Sequence, residues 1–177
     1  MSNSVNEILI VGLGLIGASI AKASKEKGII VHGYDIKKSV IKTAIDNNVI
    51  DQRIDSIEEL NNKSLIDKID LMIISVSPKA TQEIINQIPN LLNSKITITD
   101  TSSVKGHLKI SSMSNFILSH PIAGSDKSGI ASFDQTLFEN KKTIICNPNN
   151  VKDVHLKKLT DFWKYAMQMR VSEMSVK

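Results

Sequence analysis

A glycine-rich turn with the sequence Gly12-Leu-Gly14-Leu-Ile-Gly17 directly follows an apolar run and directly precedes an amphipathic one. In this strand–turn–helix context the GxGxxG pattern is typical of dinucleotide-binding folds. Gly12 permits a sharp turn off the strand, Gly14 lets the backbone approach a pyrophosphate, and Gly17 allows close helix–strand packing. The amide groups that open the following helix then face the anion. The turn therefore predicts a phosphate-binding site.

An acidic residue stands where this fingerprint requires one. Asp35 ends the second predicted strand, 18 residues beyond Gly17, where a carboxylate accepts hydrogen bonds from a ribose 2′-hydroxyl. The same carboxylate repels a 2′-phosphate, so NAD is favoured over NADP, although Lys37 and Lys38 beside it weaken that preference. The alternative is a glycine turn used only for packing, with an aspartate on the surface.

The rest of the chain alternates short β-branched runs with longer amphipathic ones, which predicts an α/β fold of Rossmann type with a doubly wound, mostly parallel sheet. The predicted strands are 7–11, 29–34, 70–75, 96–99, 115–119 and 143–147. The predicted helices are 15–27, 37–47, one that starts at Pro78 and ends or kinks at Pro89, and 151–167. Residues 1–170 are expected to form one domain, whereas 171–177 stop before an element is completed.

Composition excludes several classes of protein. With 177 residues, of which 41% are hydrophobic and 23% are charged, the composition is that of a globular protein. The net charge of +4 is carried mostly by dispersed lysines, whereas a nucleic-acid-binding groove would need clustered positive charge. It has no apolar run of membrane-spanning length and no secretory signal, so we expect a cytoplasmic protein. We expect no metal site, because the histidines lack the spacing of metal ligands. His32 lies in a predicted strand, and His107 and His155 fall on helical stretches that are expected to be solvated. Cys146 is expected to be buried and is the one cysteine, so it has no disulfide partner in the chain.

Candidate functional groups follow the later predicted strands, at the sheet edge where open α/β folds bind ligands. After the third strand, Ser75 is placed to line a cofactor cleft, and Ser77 equally well caps the helix at Pro78. His120 follows an apolar strand, and a neutral imidazole there accepts a proton from a substrate hydroxyl. Ser103 is placed to hold that hydroxyl or the nicotinamide. The alternatives are a structural histidine and a serine that caps a short helix over 104–113.

Four segments together resemble the prephenate and arogenate dehydrogenases of tyrosine biosynthesis, and the resemblance runs from about residue 7 to 170. They are the glycine turn, Gly33-Tyr-Asp35, Asp100-Thr-Ser-Ser103-Val-Lys-Gly106 and Ser119-His-Pro-Ile-Ala-Gly-Ser-Asp-Lys-Ser-Gly129. The last of these is the most specific.

The resemblance implies NAD(P)-dependent oxidative decarboxylation of prephenate to 4-hydroxyphenylpyruvate, or of arogenate to tyrosine. His120 then engages the ring C4 hydroxyl, and Ser103 hydrogen-bonds substrate and cofactor, which makes both catalytic and substrate-binding residues. Asp126 and Lys127 are further substrate contacts, although family members often carry Glu at the position of Asp126. The implied cofactor contacts are Gly12, Leu13, Gly14, Leu15, Ile16, Gly17, Asp35, Ser75, Val76, Ser77 and Thr101.

The family also has a helical C-terminal domain that forms the homodimer and supplies a histidine and an arginine for the substrate carboxylates. We expect this domain to be absent from the chain, so a homodimer is expected only with it and turnover by the chain alone is expected to be poor or absent. Lys105 or Lys127 is a partial substitute for the arginine. Two other functions stay open. One is a non-catalytic NAD-binding sensing or partner module, and the other is a related dehydrogenase acting on a different hydroxy or imino acid.

Overall fold

One sheet of eight strands runs through the computed structural model, which describes residues 5–91, 94–106, 108–110, 113–124, 126–146 and 151–174. In chain order the strands are β1 (Glu7–Val11), β2 (Ile30–Tyr34), β3 (Gln52–Arg53), β4 (Leu71–Ile74), β5 (Thr97–Asp100), β6 (Phe116–Ile122), β7 (Lys142–Cys146) and β8 (Arg170–Met174). Their spatial order is β3-β2-β1-β4-β5-β6-β7-β8. Every pair is parallel except β6 with β7, where His120 lies opposite Ile144.

Helices cover both faces of this sheet. They are α1 (Leu15–Glu26), α2 (Lys38–Asp46), α3 (Lys63–Ile66), α4 (Pro78–Gln87) and α5 (Asp153–Asp161), with short 3-10 turns at Ile57–Asn61, Pro89–Leu91 and Ile130–Ser132. A π-helical turn, Phe162–Ala166, continues α5. Within the described residues no helix is long and apolar enough to cross a membrane.

Local sequence sets where these helices begin and end. α1 ends before Gly28, whose φ of +75° is a left-handed conformation that glycine adopts without steric cost. α4 begins at Pro78, where a missing N–H costs no helical hydrogen bond, and the Ser77 hydroxyl accepts a hydrogen bond from the Ala80 amide at 3.4 Å. Ser77 thus caps this helix.

The central strands are buried on both faces, and successive residues of β1 face opposite sides. Ile8 and Ile10 belong to the core under α1, together with the fully buried Trp163. Leu9 and Val11 belong to the core under α4. Each such aliphatic side chain contributes about 1.5–3 kcal/mol relative to an exposed one. This two-sided burial is what a continuous apolar strand sequence predicts, and the expected doubly wound fold is confirmed.

Three local expectations were wrong. The described residues of 104–113 contain no helix, so Ser103 does not cap one. The helix expected over 151–167 is α-helical only from Asp153 to Asp161. The tail expected to stop short of an element instead forms the edge strand β8, in parallel register with β7, so its backbone gains sheet hydrogen bonds that its polar sequence did not signal.

Candidate active site

The glycine turn lies at the carboxyl ends of the central strands. Gly12 has a φ of +93°, and a Cβ on it would lie 2.5 Å from the Ser75 carbonyl oxygen. A Cβ on Gly17 would lie only 1.9 Å from the Gly12 carbonyl oxygen. Because real Cβ atoms do not approach backbone this closely, both positions require glycine, as the sequence predicted.

The start of α1 is open toward solvent. Among the described residues no side chain caps this helix, and its first turn carries no acidic residue. The space beside Gly14 is open, with no atom within 4 Å of a Cβ placed there. The unsatisfied amides and the positive end of the helix dipole therefore face a free space at the turn, an arrangement suited to an anionic group.

Asp35 holds the turn from the end of β2. Its Oδ2 accepts a hydrogen bond from the Leu13 amide at 2.9 Å, and its Oδ1 accepts one from the Lys37 amide at 2.9 Å. Each carboxylate oxygen keeps a second lone pair, so the side chain is able to accept from a ribose hydroxyl as well. Leu13 is fully buried in the core and its amide is bonded to Asp35.

Two cavities flank the turn, and Val76 lines both of them. The first, of about 250 Å³, has a mainly apolar lining, which comprises Val11, Gly12, Tyr34, Asp35, Ile36, Ile57, Val76, Ala80, Glu83, Ile84 and Gln87. The second, of about 350 Å³, is rich in hydroxyl groups and is lined by Gly14, Leu15, Ile16, Ser75, Val76, Pro78, Thr101, Ser102, Ser103, Lys127, Ser128 and Gly129. Ser77 lines neither, which favours its capping role.

His120 lies on β6 and is half-buried. Its Nδ1 is 3.3 Å from the carbonyl oxygen of Thr101, which follows β5. Because a carbonyl only accepts hydrogen bonds, this contact assigns the proton of a neutral imidazole to Nδ1 and makes Nε2 its acceptor nitrogen. The imidazole is thereby oriented as a proton acceptor at Nε2.

Thr101 connects His120 to the segments around the glycine turn. Its Oγ1 donates to the Ser75 hydroxyl at 3.1 Å, and its amide donates to the Ile74 carbonyl at 3.1 Å. Two residues further on, Ser103 is exposed and lines the second cavity. The segment from 101 to 103 therefore carries both the carbonyl that orients His120 and the predicted catalytic hydroxyl.

The loop after β6 contains the two other predicted substrate contacts. Lys127 is exposed and lines the second cavity beside Gly14, Leu15 and Ile16. Asp126, also exposed, is not among the residues that line either cavity. The structure therefore brings Lys127 to the glycine turn and leaves Asp126 outside both cavities.

A buried ion pair beneath the site escaped the sequence reasoning. Lys105 Nζ lies 2.6 Å from both carboxylate oxygens of Asp100 and 2.6 Å from the Ser119 carbonyl oxygen. Burial lowers the pKa of Lys105, and the Asp100 carboxylate opposes this effect. Because its ammonium is committed to these oxygens, the expectation that Lys105 substitutes for a carboxylate-binding arginine was wrong.

Of the described histidines, His32 and His155 line neither cavity. His155, expected to be solvated, is 4% exposed and its Nδ1 is 2.8 Å from the Thr97 hydroxyl. His32 Nε2 is 3.0 Å from a Glu7 carboxylate oxygen. Cys146 is half-buried, less than expected, and His107 falls outside the described residues. Over the described ranges no three histidine, cysteine or acidic side chains group together as a metal site would require.

Comparison with known proteins supplies the context for this geometry. A family described as "Prephenate dehydrogenase, nucleotide-binding domain" matches residues 20–171. The prephenate dehydrogenase of Lactococcus lactis is 35% identical over 150 residues, which is 77% of this chain and 39% of that protein. The Bacillus subtilis prephenate dehydrogenase is 33% identical over 149 residues, or 79% of this chain and 39% of its own length.

A solved structure covers nearly the whole chain. The prephenate dehydrogenase of A. aeolicus in complex with hydroxyphenyl propionate and NAD+ superimposes with a TM-score of 0.88 and 31% identity, over 99% of this chain and 62% of that one. The chain thus spans 39% of the length of its curated relatives. The glycine turn, the oriented histidine and these matches lead to one conclusion: the chain belongs to the prephenate dehydrogenase family and corresponds to its nucleotide-binding domain.

Proposed function

We propose that this chain binds NAD+ and carries the residues that oxidise prephenate, with loss of carbon dioxide, to 4-hydroxyphenylpyruvate in the cytoplasm. The observation that carries the proposal is the contact between His120 Nδ1 and the Thr101 carbonyl, at 3.3 Å. It leaves Nε2 as a proton acceptor on β6. The solved A. aeolicus relative, named for its complex with NAD+ and a hydroxyphenyl compound, supports the same assignment.

The two cavities fit the two ends of a dinucleotide. The apolar first cavity, with Tyr34 and Ile36 in its lining, suits the adenine ring, and Asp35 at its edge suits the ribose. The second cavity, lined by the start of α1 and by hydroxyl groups, suits the diphosphate and the nicotinamide. When bound, NAD+ supplies the nicotinamide ring that accepts a hydride from the substrate.

Charge pairing beyond Asp35 supports NAD over NADP. A third cavity on this side of α2 contains the cations Lys38, Lys42 and Arg53. Two of them are paired with carboxylates, since Lys42 contacts Asp46 and Arg53 lies 3.1 Å from Asp55. A 2′-phosphate would therefore meet the Asp35 carboxylate, with the charges of Lys42 and Arg53 already paired.

In the proposed mechanism the residues of this chain position the substrate and move one proton. His120 Nε2 accepts the proton of the ring C4 hydroxyl as the C4 hydride leaves, so that the C4–O bond becomes a carbonyl. Loss of the ring carboxylate as carbon dioxide then makes the ring aromatic, which yields the phenol after a proton returns to oxygen. We place Ser103 as the hydroxyl that hydrogen-bonds substrate and cofactor, and Asp126 as a substrate contact at the edge of the site.

A second candidate function is a binding module that takes up NAD+ without turnover. It is favoured by the two arginines, both of which are engaged elsewhere: Arg53 with Asp55, and Arg170 with the Asn140 carbonyl at 3.3 Å. Neither supplies the bidentate clamp that substrate carboxylates prefer. We propose, as for the family, that homodimer formation belongs to a helical domain outside this chain.

Calorimetric titration with NAD+, followed by absorbance of reduced nicotinamide after addition of prephenate or arogenate, distinguishes these functions. We expect NAD+ binding, with poor or absent oxidation of prephenate by this chain alone and turnover when it is complemented with the domain that supplies the carboxylate-binding arginine. In the complemented enzyme the variant His120→Asn keeps a donor toward the Thr101 carbonyl but lacks Nε2, so turnover should fall about 10²–10⁴-fold while NAD+ affinity stays within about threefold. Retained turnover in this variant contradicts the catalytic role, NAD+ binding without oxidation of either substrate by the complemented enzyme supports the binding module, and no NAD+ binding contradicts both functions.

A further inference from the structure

The loop that follows His120 faces the glycine turn across the second cavity. Lys127, Ser128 and Gly129 line one side of this cavity, and Gly14, Leu15 and Ile16 line the other. Of the described residues that line it, Lys127 is the one with a charged side chain. Lys127 therefore lines the same cavity as the start of α1.

An anchor on α1 fixes the far end of this loop. Gly129 has a φ of +78°, and the 3-10 turn that follows it inserts Ile130, 8% exposed, into the core under α1. The amide of Asp134 donates to the hydroxyl of Ser19 at 2.9 Å, and Ser19 is a fully buried residue of α1. Lys127 therefore lies three residues before a segment attached to the same helix whose amides form the predicted phosphate site.

We propose that Lys127 binds the diphosphate of the cofactor rather than the substrate carboxylates. The proposal rests on the NAD+-binding function proposed above. A dinucleotide diphosphate carries about two negative charges at neutral pH, while the open end of α1 offers about half a positive charge. Lys127 supplies a full unit of positive charge to the same cavity, and a charge-assisted hydrogen bond to phosphate is among the stronger polar contacts.

Lys127 also lies close in sequence to the catalytic histidine. It follows β6, which carries His120 and ends at Ile122. Contact between Lys127 and the diphosphate would therefore link the cofactor to the segment that follows this strand.

The experiment compares NAD+ and ADP-ribose as ligands of the unaltered chain, Lys127→Gln, Lys127→Arg and the control Lys164→Gln, which replaces an exposed lysine on the π-helical turn. Both ligands contain the diphosphate, and only NAD+ contains nicotinamide. We expect Lys127→Gln to weaken both ligands by the same factor, about tenfold, and to reduce the salt dependence of binding. Lys127→Arg should recover most of the affinity, and Lys164→Gln should change neither ligand. Hydrogen exchange of residues 120–130 should slow on NAD+ addition in the unaltered chain and less so in Lys127→Gln.

Each other result overturns the inference in a distinct way. Equal NAD+ affinity in the unaltered chain and Lys127→Gln means that this lysine does not touch the cofactor. A loss confined to NAD+, with ADP-ribose unchanged, places Lys127 at the nicotinamide end. If the unaltered chain binds neither ligand, the proposed NAD+-binding function fails and this inference fails with it.

Discussion

Replacement of Lys105 by methionine tests whether the buried ion pair supports the site. The side chains of Lys105 and Asp100 are 11% and 0% exposed, so the variant leaves the Asp100 carboxylate in a dry environment without its cation. Breaking such a pair costs about 3–5 kcal/mol, and loss of the donor to the Ser119 carbonyl adds about 1 kcal/mol. At a urea slope of about 2 kcal/mol/M, a loss of about 4 kcal/mol lowers the unfolding midpoint by about 2 M.

Urea unfolding of five proteins measures this effect: the unaltered chain, Lys105→Met, Asp100→Asn, their double variant and the control Lys109→Met. Lys109→Met, which alters an exposed lysine close by, should stay within about 0.5 kcal/mol of the unaltered chain. Adding Asp100→Asn to Lys105→Met removes the orphaned charge, so the double variant should be more stable than Lys105→Met alone. A loss below about 1 kcal/mol for Lys105→Met would refute the reasoning, because that is the value for a solvated pair. So would a double variant whose loss equals the sum of the two single losses.

Two further substitutions test the turn and the buried histidine. Asp35→Asn retains one acceptor for the Leu13 amide but turns an NH₂ group toward the Lys37 amide. We therefore expect the free energy of unfolding in urea to fall by about 1.5–3 kcal/mol and calorimetry to show weaker NAD+ binding. Unchanged stability would show that the carboxylate does not hold the turn. Burial first, and then two neighbouring lysines, lower the pKa of His155, so its contribution to stability is present above the usual histidine pKa and is lost as pH falls through the lowered value. Melting temperatures measured from about pH 7 to about pH 5 should therefore fall less steeply for His155→Asn than for the unaltered chain, and equal slopes would contradict the assignment.

The centre of the fold follows from the sequence because its strands are buried on both faces. Apart from Glu7, β1 and β4 are continuous apolar runs, and their order follows from the alternation of strands with helices. The edge strands do not share this signal. β3 has two residues, both exposed, and β8 is largely exposed, so each is defined by backbone hydrogen bonds to one neighbour rather than by an apolar pattern.

The parts of the site that could not be predicted from the sequence depend on contacts between distant segments. The glycines and Asp35 were predictable because their spacing is local and each meets a steric or hydrogen-bonding need of one turn. The contact of His155 with Thr97 joins residues 58 apart in the chain, and no local pattern marks it. The pair of Asp100 and Lys105 is local but resembled a solvated charge pair, since its burial comes from packing against β6.

The ion pair, the histidine and the cofactor turn are parts of one connected arrangement. Lys105 fixes the Ser119 carbonyl, one residue before His120 on β6, while the Thr101 carbonyl fixes the imidazole from the end of β5. The Thr101 hydroxyl in turn donates to Ser75, whose carbonyl packs against Gly12. Each contact joins two neighbouring strand ends, so the glycine turn and the histidine are connected through Ser75 and Thr101. The hydroxyl groups of Ser75, Thr101 and Ser119, at the ends of β4 and β5 and on β6, thus make hydrogen bonds within the fold that solvent-exposed residues of a loop would not make.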